Sequence, residues 1–424
     1  MNEARRVAIV STGDELVRGV AVDTNSSAIA RRIFALGFEP ASFLVLGDEE
    51  QALAQAVRRL SKDHAAIVIT GGLGPTLDDV TRHAVASAAG VELKHDARVL
   101  AGLRAFFLAR GRQLLPSNER QALFPAGAAV LENRAGTAPG FALGIGRALV
   151  FALPGPPREM LPMLEEAVVP RLLALGCGGT AIDVRELHLF GIAESALAAE
   201  LGEAMRRDAN PLVGVTAKDG VLTVSVRARA ADMERAQALA GEHADALAAR
   251  FGPCVFSRSE PDLARVLGGR LLATGVSIAL AESCTGGLLA GRLTSVPGIS
   301  AVFERSWVAY ANAAKVAELG VPPALVEQHG AVSEAVARAM AEGAARRAKA
   351  RLALSVTGVA GPGGGTAEKP VGLVWLGVAL DGRLHAEERR FAAQERELVR
   401  AIAVNAAFDL GRRALENEGR FEGR

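Results

Sequence analysis

Residues 281–287 read AESCTGG, which sets two candidate nucleophiles, Ser283 and Cys284, side by side in front of two glycines. Attack on an acyl carbon requires such a group, a neighbour to take its proton, and donors for the developing oxyanion. Cys284 is the intrinsically better nucleophile at neutral pH, but in an extended segment its side chain points away from that of Ser283. Three further stretches carry chemistry. FERSWVAYANAAK brings Arg305, Tyr310, Asn312 and Lys315 together, LALSVTGVAGPGGG ends a strand at Thr357 before a glycine-rich loop, and QERELVR sets Arg396 and Arg400 four residues apart on one helical face.

A second group lies in the first third of the chain. VITGGLGPTLDDVTRHA is a strand, a glycine-rich turn and a helix, whose backbone N–H groups cradle phosphate. It lacks the lysine and spacing of a Walker A loop and is not GxGxxG. Asp14, Glu15, Asp23, Asp48, Asp78 and Asp79 fall at the ends of the same strands. Carboxylates beside a phosphate cradle suit a hard divalent ion that keeps waters and bridges substrate phosphates. Any single one of them also reads as a turn or cap residue.

These residues must be positioned by elements that the hydrophobic pattern identifies. RVAIVST, DTNSSAIARRIFALG, PASFLVL, QALAQAVRRLSK and AAIVIT alternate between strand and helix patterns, the βαβα rhythm of a parallel sheet covered by helices. ALVFALPGPPREM adds a buried strand and a turn. A first α/β domain then covers residues 1–176, with a boundary at Gly178 and Gly179. Residues 180–256 read as strand (VRELHLFG), helix (SALAAELGEAMRR), hairpin turning at Asp219 and Gly220, and long helix, a small α+β domain. Residues 257–416 form a second α/β domain with strands at VSIALAE, LALSVTG, VGLVWLGVA and HAEERRF and a closing helix from Gln394 to about Leu415; 417–424 is a polar tail. VSIALAESCTGGLLAGR is strand, polar turn and helix, so Ser283 sits at a carboxyl-terminal sheet edge, where α/β domains bind ligands. The helix start behind it offers backbone N–H groups to an anion, or Ser283 and Thr285 are its caps.

A net charge of +1 over 424 residues gives no global field for nucleic acid, and 22% charged residues argue against long disorder. Three scattered cysteines, Cys177, Cys254 and Cys284, fit a reducing cytoplasm without disulfides, and the absence of CxxC and HExxH speaks against zinc. No signal peptide or membrane span is read, so the expectation is a cytoplasmic protein with no membrane partner.

AESCTGG, YANAAK, HGAVSE and TGVAGPGGGTAEKPVG together resemble the C-terminal domain of the competence/damage-inducible (CinA) family, similar to nicotinamide mononucleotide deamidase. The resemblance implies hydrolysis of the nicotinamide carboxamide to nicotinate mononucleotide and ammonia, with no cofactor. It implies Ser283 as nucleophile, Tyr310, Lys315 and Thr357 around it, and Ser300 nearby. Thr285, Gly286, Gly287, Gly361 and an arginine of QERELVR, for which Arg396 is preferred, are then on the substrate. His329 in QHGAVSE is the one histidine within these stretches and reads as a loop or cap residue, so a Ser/His/Asp triad is not expected. The base is then Lys315 or Tyr310, and Lys315 serves only if burial or neighbouring cations depress its pKa.

The first domain, with SNERQALFPAG, NRAGTAPGF and ALPGPPREM, resembles the molybdopterin-binding-like domain of the same family. That implies a metal-dependent ADP-ribose pyrophosphatase yielding AMP and ribose 5-phosphate, with Gly71, Gly72, Gly74 and Thr76 at the phosphates. Asp14, Asp48 and Asp78 are then at the divalent metal (Mg2+ or similar), and Asn25, Asn118 and Pro154 near the ligand. TGGLGPTLDD is also similar to a pterin-binding loop. The middle domain resembles a KH fold, but GIAES stands where the nucleic-acid-binding loop needs GxxG. RNA or DNA is therefore not the expected partner, although the family name suggests a second reading as a DNA uptake or repair scaffold. A homodimer is expected from the resemblance.

Overall fold

A computed structural model describes residues 6–175, 181–393 and 395–417. Cys177, the Gly178–Gly179 boundary, Gln394 and all but the first residue of the polar tail lie outside the described residues. The architecture is mixed α/β, as the sequence implied, and the chain divides into two compact units. One is the chain up to Asp183 with Arg229–Ala236; the other is Val184–Ala228 with the chain from Gln237 onward. Among the described residues no helix is long and apolar enough to cross a membrane.

The first unit is built on a six-stranded sheet in the order Glu39–Leu46, Arg6–Thr12, Ala66–Thr70, Ala148–Leu153, Gly140–Ile145, Ala129–Leu131. The first four are parallel and the last two antiparallel. AIVIT is buried along its whole length, as a central strand covered on both faces must be. Residues Val10, Ile67 and Ile69 face one apolar cluster and Val7, Ile9 and Val68 the other. The parallel strands end together, so the turns after Thr12, Leu46, Thr70 and Leu153 gather at one edge.

The small α+β block has a four-stranded sheet in the order Leu212–Lys218, Val221–Ala230, Ala181–Leu189, Val255–Ser257. Its hairpin turns at Asp219 and Gly220, both with positive φ (50° and 78°), the pairing demanded by a two-residue turn between twisted strands. The helix read from SALAAELGEAMRR covers only Glu194–Leu201, because Gly202 takes a φ of 47° and a short 3-10 turn follows.

The last block carries a five-stranded sheet in the order Phe303–Val308, Ile278–Glu282, Leu352–Gly358, Leu373–Leu380, Arg383–Arg390. The first three strands are parallel, and the Glu282↔Val356 register places Ser283 level with Thr357. The edge strand Phe303–Val308 escaped the sequence reading: FERSWV has no period-2 alternation, and none of its residues is buried. Glu334–Ala348 covers one face and Arg396–Glu416 the other.

Candidate active sites

Burial is the first determinant of the Ser283 site. Lys315 is 1% exposed and Ser283 8%, and Lys315 Nζ lies 3.0 Å from Ser283 Oγ. The same nitrogen lies 3.0 Å from each of the Ala309 and Tyr310 carbonyl oxygens. Burial pushes the Lys315 pKa below the ordinary lysine value, with the neighbouring Cys284 opposing the shift. A neutral amine has two N–H bonds and one lone pair. Donating both to the two carbonyls leaves the lone pair for the Ser283 hydroxyl proton.

Cys284 belongs to the apolar core behind the strand, and burial pushes its thiol pKa up to about 12. The other expected groups are placed as follows. Thr357 is adjacent to Ser283 in register, but its hydroxyl donates to the Ala331 carbonyl at 2.9 Å. Tyr310 is more than half exposed, and its hydroxyl accepts from Arg396 at 2.9 Å, so its backbone carbonyl rather than its phenol meets the dyad. Arg396 also donates to the Gly361 carbonyl at 2.8 Å. Arg400 donates to the Thr285 carbonyl at 2.9 Å and to Glu397. Both guanidinium groups act with Lys315 to favour negative charge at this edge of the sheet. Thr285 is fully buried, and its hydroxyl has no partner among the described residues. Ser300 is not brought to the site. It lies in the turn Ile299–Ala301 before the strand whose Phe303 pairs with Ile278, at the opposite end of the sheet from Ser283. His329 ends a helix, and its carbonyl accepts from Lys369 Nζ at 2.7 Å.

The expectation that the helix start at Leu288 offers its amides to an anion is corrected by Glu282, which sequence reasoning left without a role. Its fully buried carboxylate accepts from the Gly287 and Leu289 amides at 3.0 Å each and from Ala290 at 2.9 Å, with Ser306 Oγ at 3.4 Å. The protein supplies its own anion there. The amides of Cys284 and Thr285, next to Ser283, have no partner among the described residues and are free to donate to an oxyanion. Gly286 and Gly287, with φ of 60° and 97°, let the turn fold back over the strand end.

The first unit holds a cleft of about 390 Å³ at the gathered strand ends. Gly71 and Gly72 have φ of 106° and 65°, and a Cβ on either would fall 2.3 Å from the Thr12 carbonyl or from Thr81 Oγ1. No other residue fits there. The Gly74 and Thr76 amides, expected on phosphates, instead donate to Asp79 at 2.6 and 2.8 Å, so Asp79 organises the loop. The Gly72 amide has no partner among the described residues. Arg82, 2% exposed, sits one residue after the Thr81 that ties Gly71. Its pKa is lowered by burial to about 10, which still leaves a cation behind the loop at neutral pH.

Asp48 and Asp78 line the cleft, joined by Glu15 and Glu159. Asp14 does not. It begins a helix; its Oδ2 accepts from Arg18 at 2.6 Å and its Oδ1 from the Asp48 amide at 3.3 Å, while its own amide donates to Asp48 at 3.0 Å. Asp23 caps the next helix through the Ser26 amide. Asn25 ties Thr70 and Gly155 together rather than lining the cleft, and Asn118 lies outside it; Pro154 is on its wall. Among the described residues no cluster of three His, Cys, Asp or Glu side chains is assembled for a metal. The carboxylates nevertheless fit an ion of the magnesium type, which needs one or two of them and completes its shell with water and substrate phosphate. Gln121, Thr137 and Glu159 were missed, although NRAGTAPGF and ALPGPPREM, the stretches that hold Thr137 and Glu159, stood out.

Three domain families match: "Probable molybdopterin binding domain" over 8–174, "Damage-inducible protein CinA KH domain" over 184–257 and "CinA C-terminal domain" over 260–415. A CinA-like protein of Geobacter sulfurreducens is 42% identical over 410 residues, 97% of this chain and 99% of that one. The chain belongs to the CinA family. A CinA-like protein of Anaeromyxobacter sp. is 44% identical over 417 residues, 96% of this chain and 99% of that one. A solved structure, the competence/damage inducible protein CihA from Agrobacterium tumefaciens, is 42% identical and matches 36% of this chain and 96% of that one, with a TM-score of 0.34. The CinA C-terminal match contains every residue of the Ser283 site from Glu282 to Arg400, and the first-domain match contains the whole cleft.

Proposed function

We propose that this CinA protein is a bifunctional cytoplasmic hydrolase of pyridine nucleotide recycling. Its C-terminal domain deamidates nicotinamide mononucleotide and its N-terminal domain hydrolyses ADP-ribose to AMP and ribose 5-phosphate. The observation that carries the first activity is the buried Lys315 amine 3.0 Å from Ser283 Oγ. In this reading neutral Lys315 takes the hydroxyl proton as Ser283 Oγ attacks the carboxamide carbon, and the Cys284 and Thr285 amides receive the oxyanion. Lys315 returns the proton to the departing nitrogen, which leaves as ammonia, and water then cleaves the acyl-serine to nicotinate mononucleotide. Arg396 and Arg400 are the groups for the substrate phosphate.

For the second activity, the unpartnered Gly72 amide and buried Arg82 favour a diphosphate. Asp48, Glu15, Asp78 and Glu159 are the carboxylates to hold a divalent ion, which would screen the phosphates and acidify a bound water. Ammonia release from nicotinamide mononucleotide by the wild type, Ser283→Ala and Cys284→Ala is the test. Activity lost only in Ser283→Ala is expected; no ammonia from the wild type removes the reading. The family description of residues 8–174 favours a second reading for the first domain, a pterin site, and a copurifying pterin chromophore would select it.

A further inference from the structure

The helix Arg396–Glu416 is buried on every side over residues 403–412. A helix lying on a sheet buries one stripe, so something besides the sheet covers its far side. That cover is the small α+β block, which shares a compact unit with the last domain. Phe190, Val221 and Phe256 of the block belong to the same apolar cluster as Ala403, Ala407 and Phe408 of the helix. The hairpin turn at Asp219 and Gly220 lies flush on the helix, since a Cβ on Gly220 would fall 3.1 Å from Ile402 Cγ2 and 3.3 Å from the Phe190 ring. Two hydrogen bonds fasten the pair. Asn405 Nδ2 donates to the Asp219 carbonyl at 2.9 Å, and Arg412 Nη2 to the Pro253 carbonyl at 3.1 Å.

Asn405 is 3% exposed, and its Oδ1 has no partner among the described residues. Leucine would fill the same space without an unbonded buried oxygen, so packing alone does not account for an amide there. A single buried amide with one fixed acceptor sets the register of the two surfaces it joins, here the height of the helix against the hairpin turn. At about 100° per residue, Asn405 and Arg412 fall on the side of the helix opposite Arg396 and Arg400. Those arginines reach the Gly361 and Thr285 carbonyls and the Tyr310 hydroxyl. The height at which the helix is held therefore decides where both guanidinium groups stand.

We propose that the middle domain is the seat of this helix, and that Asn405 and Ile402 are positioning residues acting through Arg396 and Arg400 on a substrate phosphate at the Ser283 site. This rests on the deamidase reading and gives the middle domain a task that needs no nucleic acid.

Three variants of the full chain test the seat. Asn405→Leu keeps the volume and loses the bond, and Ile402→Ala removes the atoms beneath the turn. Ile402→Val keeps Cγ1 and Cγ2, the carbons nearest Gly220, and is the conservative control. Asn405→Leu and Ile402→Ala are each expected to raise KM for nicotinamide mononucleotide about fivefold or more with kcat within about twofold, the mark of lost binding rather than lost chemistry. Ile402→Val should match the wild type, and ADP-ribose cleavage should be unaffected in all three. Amide hydrogen exchange over residues 396–401 should quicken in the first two variants and not in the third. An unchanged KM in both Asn405→Leu and Ile402→Ala overturns the proposal, even if their melting temperatures fall, because the middle domain then adds stability alone. Should Asn405→Leu fail to fold, Ile402→Ala decides by the same measurements. If the wild type releases no ammonia, the deamidase reading falls and exchange alone judges the seat: quicker exchange in the two variants keeps it, and unchanged exchange removes it.

Discussion

At the scale of single residues, two neighbours in sequence have opposite fates because the strand end turns one out and the other in. Ser283 meets a lysine amine, whereas Cys284 sits in the core with a thiol pKa of about 12, so almost none of it is thiolate at neutral pH. Cys284→Ala should therefore keep deamidase kcat, while Ser283→Ala should lower it at least about a thousandfold. Iodoacetamide should leave the native wild type active. Lys315 has a pKa lowered by burial, and the proposed mechanism uses the neutral amine. Ammonia release should then climb with pH through that lowered value and level off above it. Lys315→Met should lose the activity, and Lys315→Arg should not restore it, because a guanidinium stays charged. A kcat for Lys315→Met equal to that of the wild type would falsify the dyad. The same shift is a stability statement. Between the lowered folded value and the ordinary 10.5, the unfolded chain holds more protons, so Lys315 makes stability rise with pH in that window. Urea unfolding of the wild type against Lys315→Met across it reads that slope.

At the scale of elements, the junction between the strand Ile278–Glu282 and the helix from Leu288 depends on one buried carboxylate. Glu282→Ala orphans the Gly287, Leu289 and Ala290 amides that it bonds, and each buried unpaired donor costs about 1–3 kcal/mol. Loss of about 3 kcal/mol or more and a fall in deamidase activity are expected; an unchanged urea midpoint would show that the turn holds itself. Glu282 also marks the limit of what was legible. Hydrophobic periodicity exposed the parallel strands and the turns after them, and so the neighbourhoods of Ser283 and of the Gly71–Gly74 loop. It could not say that Glu282 folds back to cap the helix it precedes, since the sign of that contact depends on a turn set by two positive-φ glycines. Ser300 failed for a register reason: it precedes the edge strand Phe303–Val308, whose sequence FERSWV lacks the alternation that marks a strand, and it falls at the wrong end of the sheet. Asp14 and Glu15 show the same limit at closer range. Which of two adjacent acids enters the cleft is decided by where the short helix Asp14–Val17 starts and by the Arg18 that captures the first.

At the scale of the whole molecule, each candidate site is assembled within one compact unit. The cleft draws on Thr12 to Glu159 and the dyad site on Glu282 to Arg400, and neither borrows a side chain from the other. The proposed chemistries also differ, since the serine–lysine mechanism proposed for the dyad uses no metal whereas the cleft is a set of oxygen donors beside a glycine loop. The two activities should therefore separate cleanly under three perturbations. Ser283→Ala should abolish ammonia release and leave ADP-ribose cleavage at the wild-type rate. Asp48→Asn should do the reverse, lowering ADP-ribose cleavage by about two orders of magnitude or more, the scale typical of removing a group that acts on the transition state. Chelation with EDTA should stop ADP-ribose cleavage, restored by added magnesium, without touching deamidation. If Ser283→Ala, folded by thermal melt, also loses ADP-ribose cleavage, the sites are coupled and the separation argued from their composition is wrong. If chelation silences both, a metal acts where the Ser283–Lys315 geometry calls for none.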